Sequence, residues 1–202
     1  MLPRHFYERP TLDVARDLIG KVLVHDTPAG AASGVIVETE GYIGEADPAC
    51  HAAPGRTVRN APLYGHPGIA YVYINYGIHY LVNAVTESEG SPAAVLIRAL
   101  EPFEGEALMR RRRARGTGRP AGAFASAELC RGPGNLTRAL RITRRENTLD
   151  LTSSALRIED RGLPPREVAW TPRIGINVGV ESEWRCVAVG SPALSGVKRY
   201  LR

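Results

Sequence analysis

Lysine is almost absent from this chain. Of its 26 basic residues, only Lys21 and Lys198 are lysines and the rest are arginine. Amine nucleophiles for Schiff-base chemistry are therefore scarce. Cysteine is sparse too. Cys50, Cys130 and Cys186 are odd in number, far apart, and form no C-x-x-C pair. That points away from a zinc site or a disulfide framework and towards a reducing cytoplasm. No stretch reaches the roughly 18 apolar residues of a membrane span, and Met1–Arg9 lacks the apolar centre of a signal peptide. No internal repeat is present. No β-α-β alternation recurs, and no G-x-G-x-x-G follows a strand pattern, which disfavours a dinucleotide fold. Aromatic residues make up only 6% of the chain, so their clustering matters: four of the eight tyrosines fall between Tyr71 and Asn83.

The 202 residues, 44% of them hydrophobic, suffice for one domain (1–202) with a real core. The net charge is +5 and the isoelectric point about 9.4, which favours polyanionic partners. The charge is concentrated. From Arg110 to Arg145 there are eleven arginines against a single acid, Glu128. Such a segment is the expected footprint of phosphate binding; a solvated helix face is the plainer alternative.

Hydrophobic spacing predicts a helix over Pro10–Gly20, with Thr11 as N-cap and Leu12, Ala15, Leu18 and Ile19 on one face. Strands are expected at Lys21–Val24 and Ser33–Tyr42, joined by a turn at Thr27–Gly30. A long loop, Gly44–Gly68, precedes two strands around Asn75-Tyr76-Gly77. Ala93–Leu100 reads as a strand and Phe103–Arg115 as a helix. A flexible connection at Gly116–Ala123 leads to a helix beginning near Pro133. Arg173–Asn177 and Cys186–Gly190 read as late strands. The order predicts an α+β fold: a single domain with a curved, mostly antiparallel β-sheet, peripheral helices and a protruding hairpin.

Two features carry chemistry. In Val35-Ile-Val-Glu38-Thr-Glu40-Gly-Tyr42, strand alternation puts both glutamates and the tyrosine on one face. On an open surface these would mean little. The neighbouring valines indicate a half-buried strand, where a carboxylate needs a partner. Arg98, at the end of another apolar strand, can be that partner and keep a general base ionised. The second feature is the hairpin tip. An exposed Tyr76 on a basic protein suits a wedge that unstacks a base step, and extruded bases are held between aromatic faces. Tyr42, His51 and Tyr73 are available as such faces, although a single histidine in a Pro/Gly-rich loop is more often simply solvated.

Six motifs in order extend this reading: Val37-Glu-Thr-Glu40-Gly-Tyr42, Asp47-Pro-Ala-Cys-His51, Thr57-Val-Arg59-Asn60, Tyr71-Val-Tyr73-Ile-Asn-Tyr76-Gly77, Leu96-Ile-Arg98-Ala-Leu-Glu101-Pro102 and Cys130-Arg-Gly-Pro-Gly134. Together the chain resembles the alkyladenine DNA glycosylase family, the 3-methyladenine DNA glycosylases of mammalian type. The resemblance implies flipping of alkylated or deaminated purines out of duplex DNA and hydrolysis of the N-glycosidic bond, leaving an abasic site. It implies Glu40 as general base, with Arg98 and the backbone of Ile174 around the attacking water. It implies Tyr42, His51 and Tyr73 as walls of the base pocket, Asn83 as a filter against guanine, and Tyr76 as the intercalating residue. No cofactor or metal is implied, and the partner is double-stranded DNA containing damaged purines, met by a monomer. Tyr71 and Tyr80 are assigned to packing.

The chain departs from the mammalian pattern at Ile78, His79 and Asn135, where methionine, tyrosine and lysine are expected. The family's side chains for minor-groove and phosphate contact do not carry over at these positions; the water site is untouched. A non-catalytic nucleic-acid-binding module would leave Glu40 and Arg98 without a task. A hydrolase or transferase of free nucleosides would need neither the basic segment nor the wedge.

Overall fold

The structure is a computed structural model, and it describes residues 1–196. Lys198 lies outside the described residues. Helices α1 (Arg4–Tyr7) and α2 (Thr11–Asp17) open the chain, followed by strands β1 (Val22–Thr27) and β2 (Gly30–Ile43). The hairpin strands β3 (Ala70–Asn75) and β4 (His79–Val85) come next, then β5 (Ala93–Glu104). Helices α3 (Glu106–Ala114) and α4 (Pro133–Leu140) precede three short strands, β6 (Leu156–Glu159), β7 (Val168–Thr171) and β8 (Arg185–Ala188). All eight strands join one antiparallel sheet in the order β3-β4-β5-β2-β1-β6, with β8 bridging β2 and β7. The predicted α+β architecture is the observed one.

The 14-residue β2 organises the sheet. One edge runs along β5; the other pairs with β1 in its first half and with β8 at Glu38–Glu40. Residues 32–41 of β2 are all buried, as expected of a strand covered on both faces. The main core gathers Tyr7, Leu18, Ile36, Ile97, Leu100 and Met109 with Leu136 and Leu140 of α4. A smaller cluster of Cys50, Ala52, Leu63, Tyr71, Val85 and Ala94 lies under the long loop.

Several sequence expectations are corrected. Thr11 is the first helical residue rather than the N-cap, which is Pro10; its hydroxyl donates to Glu87 (2.5 Å) and bonds Thr86 (2.9 Å). Phe103 continues β5, and α3 begins only at Glu106, after Gly105 in the left-handed region. Arg173–Asn177 is not a strand. The alternating Ile174 and Ile176 line a cleft instead of facing a ladder, and Gly175 turns the backbone through φ +79°. Sequence patterns missed α1, β6 and β7, each only four residues long and too short for a period to register.

Candidate active site

Two register shifts prepare the centre of the sheet. Between β2 and β5 the pairing runs Ile36↔Leu100, Glu38↔Ala99, Thr39↔Ile97, so Val37 and Arg98 each stand outside it. Bulges re-aim side chains. Here they bring a guanidinium from β5 against two carboxylates of β2. Arg98 Nη1 donates to Glu40 Oε2 at 3.1 Å, and its Nε donates to Glu38 Oε1 at 3.1 Å. Glu38 and Glu40 are fully buried. Tyr42, two residues along the same face, donates its hydroxyl to Glu40 Oε2 (2.9 Å). The Ile174 N–H donates to Glu40 Oε1 (2.7 Å), while the Ile174 carbonyl accepts from Arg98 Nη1 (3.4 Å).

Burial pushes the Glu40 carboxyl above its ordinary value, and Glu38 adds to this; Arg98, the Ile174 N–H and the Tyr42 hydroxyl pull it back. The net direction is upward, because desolvation of the charged form is the largest effect. For Arg98, burial works against the charge, but Glu40 and Glu38 more than offset it. The expected carboxylate–arginine pairing is present, with both carboxylates rather than one as partners.

A cleft of about 490 Å³ opens beside this cluster, lined by Tyr42, His51, Tyr71, Tyr73, Tyr76, Asn83, Arg98 and residues 174–178 among others. It is large enough for a small-molecule or nucleobase ligand. His51 and Tyr73 stack edge-on at 4.4 Å between centroids, and Tyr71 and Tyr73 lie 5.3 Å apart. His51 is half-buried rather than freely solvated, and its Nδ1 meets the Tyr71 hydroxyl at 2.9 Å. Burial, then the nearby Arg59 charge, depress the imidazole pKa, so the ring stays neutral. Burial raises the Tyr42 and Tyr73 phenols and pushes Tyr71 up to about 12, so these walls also stay uncharged. Tyr71 packs in the smaller core cluster, as expected, and also lines the cleft. Tyr80 packs against the main core, as expected. Asn83 is buried at the cleft floor, its Nδ2 donating to the Tyr71 carbonyl (2.9 Å).

The hairpin protrudes as the sequence suggested. Tyr76 is 85% exposed and Ile78 74%. Tyr76 and Gly77 both take positive φ, +50° and +68°, the pairing that a type I′ hairpin turn requires. Helix α4 braces β4. Gly134 lies so close to His79 that a Cβ would fall 2.8 Å from the imidazole, and Thr137 donates to the Tyr80 carbonyl (2.7 Å). Asn135 spends its amide on the Arg131 carbonyl (2.7 Å).

Half of the basic segment maintains the fold. Arg110 bonds Glu106 and the Phe124 carbonyl, Arg112 the Ala139 carbonyl and Thr27, and Arg113 the Leu129 carbonyl. Arg119 pairs with Glu128, and Arg131 donates to the Pro192 carbonyl. Arg111, Arg115, Arg138, Arg141, Arg144 and Arg145 are exposed and make no side-chain hydrogen bond among the described residues. The segment is therefore neither a uniform phosphate footprint nor a uniform solvated face.

Four contributors were given no role by sequence reasoning, although Asp47 opens one of the motifs. Arg173 and Asp47 form a buried ion pair behind Tyr42, and Arg185 and Ser195 both reach Glu38. The one available signal was position: Arg185, like Arg98, is a charged residue flanking an apolar strand run.

The profile of the Methylpurine-DNA glycosylase family matches residues 5–192. A protein of Methanocella arvoryzae named "Putative 3-methyladenine DNA glycosylase" is 48% identical over 199 residues, covering 96% of each chain. Proteins of the same name are 50% identical in Rubrobacter xylanophilus, over 86% of each chain, and 44% identical in Chlorobium phaeobacteroides, over 98% of this chain and 96% of the relative. The chain belongs to the methylpurine-DNA glycosylase family, hydrolases of DNA repair.

Proposed function

We propose that this protein flips alkylated purines such as 3-methyladenine out of duplex DNA and hydrolyses their N-glycosidic bond, with Glu40 as general base. The observation that carries this reading is the hydrogen bonding of Glu40 directly behind an aromatic cleft, to Tyr42, Arg98 and Ile174, which line it. A carboxylate offers about four acceptor positions. Three are filled, by Ile174 N–H, Tyr42 and Arg98. The fourth can take the proton of an attacking water, with Arg98 and the Ile174 carbonyl orienting that water.

Departure of the base builds positive charge on the sugar, and an anionic Glu40 stabilises it while deprotonating the water. Alkylation at N3 or N7 makes the purine cationic, a good leaving group that stacks well on neutral phenol faces. Tyr42, His51 and Tyr73 hold the extruded base, Asn83 excludes the exocyclic amine of guanine, and Tyr76 fills the gap in the duplex. A deaminated purine such as hypoxanthine is neutral and needs protonation to leave. Its release is a slower activity of the same site.

The enzyme acts as a monomer and leaves an intact abasic strand. Lys21 pairs with Asp160 at the surface (2.5 Å) and is not among the residues lining the cleft, so it is not placed for lyase chemistry. Borohydride trapping of a covalent protein–DNA adduct would refute the monofunctional reading. The main test is incubation with methylated duplex DNA and, separately, with free methylated nucleosides, followed by analysis of released bases. Release from DNA alone is expected. Release from free nucleosides, or from neither by folded protein, would sink the proposal.

A further inference from the structure

Glu38 is fully buried, and the proposed reaction gives it no task. Its carboxylate nonetheless accepts four hydrogen bonds. Arg98 Nε (3.1 Å), Arg185 Nε (2.7 Å) and Ser195 Oγ (2.8 Å) converge on Oε1, and the Ser195 N–H (2.6 Å) reaches Oε2. Ser195 Oγ also accepts from Arg98 Nε (3.3 Å) and Nη2 (3.2 Å). One edge of the Arg98 guanidinium is thus clamped by Glu38 and Ser195. The group is planar and rigid, so fixing that edge fixes where Nη1 points. Nη1 is the atom that meets Glu40 and the Ile174 carbonyl.

We infer that Glu38 is a positioning residue of the glycosylase reaction, acting through Arg98 to aim Nη1 at Glu40 and the Ile174 carbonyl. This rests on the function proposed above. Without the clamp, Arg98 is free to turn towards a closer, two-pronged pairing with Glu40, which would occupy the acceptor position reserved for water. Arg185 completes the arrangement. It donates to Glu38, Thr171 and the Ser195 carbonyl, tying the clamp to β7 and the segment that follows β8. The four buried groups Glu38, Glu40, Arg98 and Arg185 balance in charge.

The charge of Glu38 has a second effect. Glu40 is faced by Arg98 from β5, Tyr42 and Glu38 from β2, Tyr73 from β3, and Arg173 with the Ile174 N–H from the segment after β7. Among these, Glu38 is a negative charge that raises the Glu40 carboxyl. Neutralising it lets Glu40 ionise at lower pH. A residue that only held β2 to β8 would alter stability and leave both the rate and its pH profile alone.

Glu38→Gln tests this by single-turnover release of methylated purines from methylated duplex DNA across pH, alongside thermal melting and DNA affinity. The plateau rate should fall roughly tenfold to a hundredfold, and its acid limb should move to lower pH. A plateau within about twofold of wild type overturns the inference, whatever the limb does. Should Glu38→Gln fail to fold, Ser195→Ala decides. It loosens the clamp without removing charge, so a lower plateau with an unmoved limb supports the inference and an unchanged plateau overturns it. Wild-type protein on the same DNA is the reference. Its failure to release base would remove the glycosylase reading and this inference together, a result distinct from an active wild type beside an unaffected variant.

Discussion

Asp47 and Arg173 are joined by two hydrogen bonds, 2.6 and 2.9 Å, with both side chains wholly shielded from solvent. The pair ties the start of the long loop to the segment that carries Ile174. Arg173 also donates to the Gly41 carbonyl (3.1 Å) and lies 4.8 Å from the Tyr42 ring centroid and 4.9 Å from that of Trp184. It therefore supports one wall of the cleft.

Breaking one side of such a pair leaves a buried charge uncompensated. Asp47→Asn should cost about 3 kcal/mol of stability, a melting temperature lower by roughly 6–12 °C. With Tyr42 less firmly held, KM for lesion DNA should rise. An unshifted melting curve would mean that solvent reaches Arg173 and relieves it.

Glu40→Gln keeps the size of the side chain and removes the proposed base. Base release should drop by about 10² to 10⁴, while affinity for lesion duplex stays near that of wild type. Near-normal turnover would take the general-base role away from Glu40.

The proposed mechanism requires ionised Glu40, so the rate should rise with pH through its pKa and fall below it. Burial has moved that pKa up, so the acid limb should sit above the range of an exposed glutamate. His51 is the other group whose titration could mark such a limb, and its pKa is depressed by burial. A pH–rate profile of His51→Asn separates them: the limb should survive, and its disappearance would assign it to the imidazole.

Tyr76 makes no core contact at 85% exposure. Tyr76→Ala should change stability by less than about 0.5 kcal/mol. Excision from duplex should fall, and excision from single strands, where nothing has to be unstacked, should hold. Equal rates on duplex for variant and wild type would end the wedge assignment.

Much of this site was legible before any fold was known, and the reason is local geometry. Period-two alternation places Glu38, Glu40 and Tyr42 on one face regardless of their surroundings, and Asn75-Tyr76-Gly77 announces its own turn. Arg98 was found because a charge at the end of an apolar run demands a partner. Arg173 and Asp47 lie 126 positions apart, and no periodicity connects them. The same holds for Ser195 with Glu38. The expected strand at Arg173–Asn177 failed because apolar alternation records only which side chains seek cover. It does not say whether a strand or a ligand cleft supplies that cover. The arginines of residues 110–145 looked uniform because sequence counts charge without revealing which guanidiniums already hold carbonyls.

The proposed wedge, Tyr76, and the proposed base, Glu40, occupy opposite ends of a mechanical gradient. Glu40 sits on a strand flanked by β5 on one side and β8 on the other, so its amide can open to solvent only through sheet-wide unfolding. The outer hairpin, from Tyr73 to Leu81, has only its own sister strand as a sheet neighbour. Its amides should exchange with deuterium orders of magnitude faster than those of β2. In the proposed mechanism the molecule therefore samples DNA with a compliant finger and keeps its proton-transfer geometry on an anvil that such sampling cannot bend.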